Sequence, residues 1–216
     1  MKQRLEKIKE ITIKNWKWIV LFFCIVCFLL LAEDVYDKEI MSRDIMGYNL
    51  VSTYLISDFA TPIAKLITNC GGAITLITIS IILLIVIKNK KIGISIISNL
   101  GIVTVLNIAL KRILQRPRPS EFSIINESGY SFPSGHSMIS MAFCGLLIYL
   151  IYKNIKNKYL KWTLITFLGI LIFSIGISRI YLGVHYTSDV LAGFLIAISY
   201  LIVYISIMNK FIVERD

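Results

Sequence analysis

Six long apolar stretches divide this chain, and polar or charged segments separate them. The stretches cover approximately residues 18–32, 63–87, 92–110, 137–152, 162–178 and 190–208. About 20 apolar residues in a helix span the ~30 Å hydrocarbon core of a bilayer. Many of these residues are β-branched, but a backbone in lipid must satisfy its own polar groups, which favours helices over strands. The pattern therefore predicts an all-α bundle of six transmembrane helices in a single domain, residues 1–216.

Composition and charge support a membrane protein over a nucleic-acid-binding protein. Of the 216 residues, 56% are hydrophobic, and the mean hydropathy is +0.76. The formal net charge of +10 would suit nucleic acid only if it formed a basic face on a soluble fold. Here the basic residues lie between apolar runs, where they anchor helix ends at the membrane surface. We expect the lipid bilayer and no nucleic acid as partner, and the oligomeric state stays open.

The distribution of lysine and arginine predicts the orientation. If the N-terminus is inside, fifteen of the twenty-three basic residues fall in the inner segments, which are 1–17, 88–91, 153–161 and 209–216. The positive-inside rule therefore places both termini in the cytoplasm. The connections after the third and fifth helices then lie outside.

The N-terminal part of the chain allows alternatives. A basic start followed by an apolar core is typical of a signal peptide, but no small-residue cleavage site precedes Glu33, so we expect an uncleaved first helix. Cys24 and Cys27 form a C-x-x-C inside an apolar run without a second ligand pair, which indicates lipid-facing or packing cysteines and not a zinc or redox site. Segment 33–62 is polar and fits either an interfacial amphipathic helix or a solvated loop.

Three polar patterns stand at outer helix ends and contain both histidines of the chain. The site segments are 111–119, 133–136 and 178–189. With six spans, all three segments reach the outer membrane–water interface, where we expect one active site. A different helix count between the second and third segments would separate them across the bilayer.

The first two patterns have physical properties that suit an anion. Arg118 lies between two prolines, which stop the helix and stiffen the loop from which the side chain projects. Ser134, Gly135 and His136 resemble a helix entry, whose free N–H groups and positive dipole end attract phosphate. Taken singly, the cations fit interface anchors and the tetrapeptide fits a plain N-cap.

The third pattern suits a histidine nucleophile. His185 and Asp189 are four residues apart, so they share a face on a helical turn. A carboxylate that accepts from one ring nitrogen fixes the tautomer and leaves the lone pair of the other nitrogen ready to attack. A structural ion pair is the alternative for this pair alone. The coincidence of all three patterns favours a catalytic site.

At these residues the chain resembles the type 2 phosphatidic acid phosphatase superfamily, which also includes vanadium haloperoxidases and glucose-6-phosphatase. The family signatures are K-x6-R-P, P-S-G-H and S-R-x5-H-x3-D. They match at Lys111 to Pro119, at Pro133 to His136, and at Ser178 to Asp189, without a departure at any signature position. Three signatures in the right order are much more specific than any one of them.

The resemblance implies a role for each matched residue. Phosphate oxygens would be bound by five residues: Lys111, Arg118, Ser134, Gly135 and Arg179. The catalytic residues would be His185, His136 and Asp189. His185 would attack phosphorus, Asp189 would orient it, and His136 would protonate the leaving alkoxide and then assist a water molecule.

Two further arginines, Arg112 and Arg116, lie inside the first signature but outside its fixed positions. We expect them to steer an anionic headgroup or to bind neighbouring phospholipids.

These features predict a metal-independent lipid phosphate or diphosphate phosphohydrolase of the cell membrane, without a cofactor, because three cations can supply the charge neutralisation that a metal supplies elsewhere. Candidate substrates are undecaprenyl diphosphate, phosphatidylglycerophosphate and phosphatidic acid. One alternative is a phosphoryl transferase that acts on lipid headgroups. A vanadate-dependent haloperoxidase is disfavoured because those relatives are soluble.

Overall fold

The computed structural model describes residues 2–37, 42–119 and 123–213, and the side chains between residues 15 and 210 of these ranges. In the described ranges every regular element is an α-helix, which confirms the predicted all-α class. The helices are α1 (Lys2–Tyr36), α2 (Ser42–Leu55), α3 (Ala60–Cys70), α4 (Ala73–Val86), α5 (Lys90–Leu114), α6 (Gly135–Asn154), α7 (Lys158–Tyr181) and α8 (Thr187–Val213).

Five helices in the described ranges are long and apolar enough to cross a membrane: α1 from Asn15, then α5, α6, α7 and α8 up to Lys210. The span predicted at 63–87 is not one straight helix. It consists of α3 and α4, which meet at an angle of 47°, so the bundle has six spans if the bent pair crosses as one. The protein is a multi-pass membrane protein.

The break between α3 and α4 follows from the Gly71–Gly72 pair. The Gly71 N–H bonds to the Thr68 carbonyl, which closes the last turn of α3. A Cβ atom on Gly71 would approach the Cγ2 of Ile175 to 2.9 Å, so only glycine lets the turn pack this closely on α7. Hydrophobicity alone does not reveal such a bend.

Segment 33–62 contains the helix α2, so the helical alternative is correct for this part of it. α2 packs against α7 and α8. The approach to α8 depends on Gly47, where a Cβ atom would lie 2.1 Å from the hydroxyl oxygen of Thr187. This close packing buries Asp44 at the start of α2 and carries its carboxylate toward the beginning of α8.

Helix α6 lies at the centre of the bundle, in contact with α5, α7 and α8. Two buried asparagines of α5 fix it: Asn99 Nδ2 donates to the Ala142 carbonyl at 3.1 Å and Asn107 Nδ2 donates to the Pro133 carbonyl at 3.2 Å. Large apolar side chains such as Ile74 and Phe22 face outward, as expected where lipid replaces water. These two hydrogen bonds fix the point along the length of α5 at which α6 begins.

The loops that carry the three site segments meet at one end of the bundle. The Ile124 N–H donates to the Leu182 carbonyl at 3.0 Å, and the Ser131 N–H donates to the Arg116 carbonyl at 2.9 Å. The phenol of Tyr181 accepts from the Ser57 N–H at 3.2 Å. The predicted convergence of residues 111–119, 133–136 and 178–189 on one surface is therefore observed.

Candidate active site

A cavity of about 270 Å³ opens where the site segments meet, close in size to the smaller ligand pockets of proteins (~300 Å³). Both histidines contribute to its wall. Its polar wall consists of Lys111, Arg118, Glu127, Gly135, His136 and His185. Its apolar wall includes Leu76, Ile77, Leu100 and Ile139 from α4, α5 and α6. The cavity thus has both a charged wall and an apolar wall.

His185 lies just before α8, and its two ring nitrogens have different partners. Nδ1 is 3.2 Å from Oδ2 of Asp189, and Nε2 is 3.1 Å from Nη1 of Arg118. Arginine can only donate, so Nε2 must accept and carry the lone pair, while the proton stays on Nδ1. This is the tautomer that a nucleophilic imidazole requires.

The environment keeps His185 uncharged at neutral pH. Burial lowers the pKa of the imidazole to about 4, although the hydrogen bond and the charge of Asp189 act in the opposite direction. Asp189 is itself held by the Tyr186 N–H, which donates to its Oδ2 at 2.9 Å. The lone pair on Nε2 is therefore present at physiological pH without prior loss of a proton.

Helix α6 starts as the sequence predicts, with Ser134 as its N-cap. The Ser134 hydroxyl oxygen accepts from the Ser137 N–H at 3.5 Å and lies 3.0 Å from the Ser137 hydroxyl. Ser134 is fully buried and does not line the cavity, so its hydroxyl serves the helix start. Gly135 and His136 do line the cavity.

The three cations predicted to bind phosphate gather around the histidines. Lys111 donates to the carbonyls of Tyr130 and Ser131 and lines the cavity. Arg118 holds the Val184 carbonyl at 2.9 Å, beside its contact with His185.

Arg179 is the most deeply placed of the three cations. It is fully buried, and its Nη1 donates to the Thr68 hydroxyl at 2.7 Å. Its Nε–H has no acceptor among the described residues, so the guanidinium retains a donor.

Sequence reasoning missed Glu127, which lies between two of these cations. Its carboxylate pairs with Arg179 and, at 3.2 Å, with Arg118. Burial alone would raise the pKa of Glu127, but the charge and hydrogen bond of Arg179 and the charge of Arg118 lower it overall. Glu127 is thus an internal anion among the cations that are predicted to bind phosphate. No sequence signal marks it, because it is one acidic residue in an irregular loop.

The prediction for Arg116 was wrong. Arg116 is 5% exposed and donates to carboxylates of both Asp189 and Asp44 at 2.7 Å, so it cannot reach a neighbouring phospholipid. Its charge is neutralised inside the protein, because two buried carboxylates require a hydrogen-bond donor. The Arg-Pro repeat at 116–119 gives no indication of which arginine turns inward. Asp44, also missed, comes from a segment 72 positions away.

Within the described residues, no group of three or more His, Cys, Asp or Glu side chains could hold a metal ion. The charged groups that surround the cavity are mainly cations. Their chemistry suits a polyanionic group such as phosphate, whose oxygens accept from arginine and lysine.

The fold and the site together define a multi-pass membrane protein with a group of cations around two histidines. Comparison with known proteins agrees: the PAP2 superfamily matches residues 92–212. The chain belongs to this superfamily. The prediction of a membrane phosphatase of this family is confirmed.

Individual relatives resemble the chain over most of its length. Phosphatidylglycerophosphatase B of Bacillus subtilis (strain 168) is 29% identical over 172 residues, which cover 77% of this chain and 84% of the relative. Undecaprenyl-diphosphatase of Sulfolobus acidocaldarius is 31% identical over 195 residues, covering 85% and 86%. The crystal structure of a transmembrane PAP2-type phosphatidylglycerolphosphate phosphatase from Bacillus subtilis superposes with a TM-score of 0.79 at 26% identity, covering 88% of this chain and 96% of that one.

Proposed function

We propose that this protein hydrolyses a lipid phosphate or diphosphate through a phosphohistidine formed on His185, with the reaction centre at the outer face of the membrane. The observation that carries the proposal is the orientation of His185. Its Nδ1–H faces Asp189, and its Nε2 lone pair faces the cation-lined cavity that also contains His136. This arrangement has the parts of an activated nucleophile and its orienting carboxylate.

The chemistry proceeds in two transfers. In the first, Nε2 of His185 forms a bond to phosphorus, the bond from phosphorus to the lipid oxygen breaks, and His136 gives a proton to that oxygen. In the second, His136 takes a proton from water, whose oxygen attacks phosphorus and releases His185. The three cations stabilise the charge on the phosphoryl oxygens in both transition states.

The shape of the cavity supports an amphiphilic substrate. A phosphate beside Lys111 and Arg118, the two predicted cations that line the cavity, would leave the lipid portion against the apolar wall formed by α4, α5 and α6. The two similar enzymes named above act on phosphatidylglycerophosphate and undecaprenyl diphosphate. We propose these two lipids as the first candidates, with phosphatidic acid as the third.

The decisive assay measures phosphate release from each of the three lipids by the detergent-solubilised protein in EDTA. We expect release from at least one lipid, and His185→Ala should reduce kcat by at least about 10³-fold. Asp58→Asn, a change at an exposed outer carboxylate, is the matched control and should retain full activity. Strict dependence on added Mg²⁺ would contradict the mechanism.

The intermediate has its own test. With p-nitrophenyl phosphate the leaving group needs no proton, so His136→Ala should still form phosphohistidine but hydrolyse it slowly. Acid-labile, alkali-stable phosphoprotein should therefore accumulate in His136→Ala and be absent from the His136→Ala/His185→Ala double variant. Equal labelling of both variants would place the phosphoryl group on another residue.

A further inference from the structure

A buried charged network lies behind Asp189, on the side away from the cavity. Arg116 is its centre: Nη1 donates to Oδ1 of Asp189 and to the Ser188 hydroxyl, both at 2.7 Å. The guanidinium also stacks over the Tyr186 ring at 4.1 Å from the centroid. Since Oδ2 of the same carboxylate accepts from His185, Arg116 fixes the plane in which Asp189 meets the imidazole.

Asp44 completes the network from α2. Its Oδ2 accepts from Nη2 of Arg116 at 2.7 Å, and its Oδ1 accepts from the Ser188 N–H at 2.8 Å. The Ser188 hydroxyl is a further neighbour at 2.9 Å. The side chains of Asp44 and Asp189 are fully buried. These contacts join α2, the loop after α5 and the first turn of α8.

The charges of this network do not cancel. Asp44 and Asp189 each carry one negative charge and Arg116 one positive charge, so the buried group has a net charge of −1 beside a neutral His185. If Asp44 were absent, Arg116 would neutralise Asp189 and leave no net negative charge behind the imidazole. Two buried carboxylates around one arginine are costly for folding alone, which points to a role in the reaction.

This inference rests on the proposed function, whose reaction requires the net negative charge of the network. When Nε2 of His185 bonds to phosphorus and Nδ1 keeps its proton, the ring gains one positive charge. The lipid oxygen leaves with the bonding pair and takes its proton from His136. The cationic ring then faces a network of charge −1, so the buried charges balance in the intermediate. A buried charge is stabilised strongly by such a preorganised partner.

We propose that Arg116 and Asp44 are positioning residues for this phosphoryl transfer. Arg116 holds the Asp189 carboxylate in the orientation that directs Nε2 toward phosphorus. Asp44 restores the negative charge that Arg116 removes, and so stabilises the phosphorylated ring.

The test compares Asp44→Asn, Arg116→Gln and the double variant with wild type and the Asp58→Asn control. Each single change should lower kcat and the rate of phosphohistidine formation by about 10²-fold. KM and competitive inhibition by inorganic phosphate should stay within about threefold, because neither residue touches the phosphate. Unchanged inhibition also shows that the variant is folded.

The double variant separates charge from packing. Asp44→Asn leaves a network charge of 0 and Arg116→Gln leaves −2, but the double variant returns to −1. The double variant regains this charge but still lacks the orienting contact of Arg116. We therefore expect its kcat to lie near that of Arg116→Gln, and not at the ~10⁴-fold loss that two independent effects would give. A loss near ~10⁴-fold would overturn the proposal.

The protonation of His185 gives an independent readout. His185 also interacts with Asp189, Arg118 and Arg179 and with His136, all of which stay unchanged in these variants. Imidazole NMR should show protonation at higher pH in Arg116→Gln, at lower pH in Asp44→Asn, and near the wild-type pH in the double variant. Identical titrations in all three would contradict the charge argument.

Two other causes of a negative result can be distinguished from failure of this inference: misfolding of a variant and an incorrect proposed function. If Asp44→Asn does not fold, Arg116→Lys takes its place in the test. Lysine keeps the positive charge but not the simultaneous hydrogen bonds to Asp44 and Asp189. This variant should retain more activity than Arg116→Gln. Equal activity of the two would count against a positioning role. A wild-type protein that forms no phosphohistidine would contradict the proposed function itself, whereas an active wild type with unaffected variants would contradict only the network.

Discussion

The groups expected to bind phosphate are engaged with one another and with a carboxylate. The Nε2 lone pair of His185 accepts from Arg118, and the same guanidinium pairs with Glu127. Glu127 also neutralises Arg179. A phosphate bound as proposed would therefore replace a carboxylate and draw a donor away from His185. Glu127 supplies the negative charge that these two buried cations require.

Removal of the internal anion should strengthen phosphate binding. In Glu127→Gln, inorganic phosphate no longer competes with a carboxylate for Arg118 and Arg179. We expect its inhibition constant to fall about fivefold, equivalent to ~1 kcal/mol. The measurement is competitive inhibition of phosphate release, with Asp58→Asn as the control for net charge. An unchanged or higher constant would mean that Glu127 does not compete with phosphate for these cations.

The two histidines can be resolved individually by NMR, because the chain contains no others. In the His136→Ala variant, the imidazole of His185 should stay neutral, with its proton on Nδ1, down to about pH 4. A free histidine titrates near pH ~6.5. Between these values the unfolded chain binds the extra proton, so stability should fall as pH decreases from about 6.5 to 4. Titration near 6.5 would refute the buried neutral state.

At the scale of elements, the site depends on two helix starts that meet. His136 is the second residue of α6, and His185 lies two residues before α8. The Ser134 N–H donates to the Asp189 carbonyl at 3.0 Å, which ties the two starts together. This contact brings His136 and His185 to the wall of one cavity.

Gly193 lets α8 approach the beginning of α6. A Cβ atom there would lie 3.0 Å from the Ser134 carbonyl oxygen and 3.2 Å from the Met138 nitrogen, both backbone atoms. Gly193→Ala should therefore separate the helix starts, lower stability by about 1–2 kcal/mol and reduce kcat. Thermal unfolding and phosphate release measure the two effects.

The matched control is Gly169→Ala in α7, where an added Cβ meets nothing within 4 Å. It should leave kcat unchanged and stabilise slightly through helix propensity. Equal kcat and equal thermal stability of the two variants would show that the close approach of α8 to α6 determines neither activity nor stability.

At the scale of the whole molecule, lysines and tryptophans lie together at the end of the bundle away from the site. Lys17 and Lys210 border a separate groove between α1 and α8, together with Trp16 and Trp18. Lysine is in excess on the cytoplasmic side of membrane proteins, and tryptophan is enriched at both membrane interfaces. This distribution supports the proposed outward orientation of the site.

Cysteine labelling tests that orientation. After replacement of the four native cysteines, a single cysteine is placed at Asp58, near the site, or at Lys156, in the connection between α6 and α7; both positions are exposed. A membrane-impermeant maleimide should label only the Asp58 position in intact cells, and both positions after permeabilisation. The reverse pattern would place the reaction on the cytoplasmic side.

The sequence by itself determined the helical class, most of the spans and the three segments that form the site. Apolar length determines which segments span lipid, and helix-stopping prolines and capping serines act on their own neighbours. His136 could therefore be singled out, because the Pro-Ser-Gly pattern directly precedes it, and His185 and Asp189, because they are only four residues apart.

Only the tertiary structure decided which charges meet. Glu127 pairs with Arg179 across 52 positions and Asp44 with Arg116 across 72, and neither acidic residue has a local pattern. The bend at Gly71 likewise depends on contact with α7. Burial makes charge pairing obligatory, but the partner is selected by how the helices pack, which no short stretch of sequence specifies.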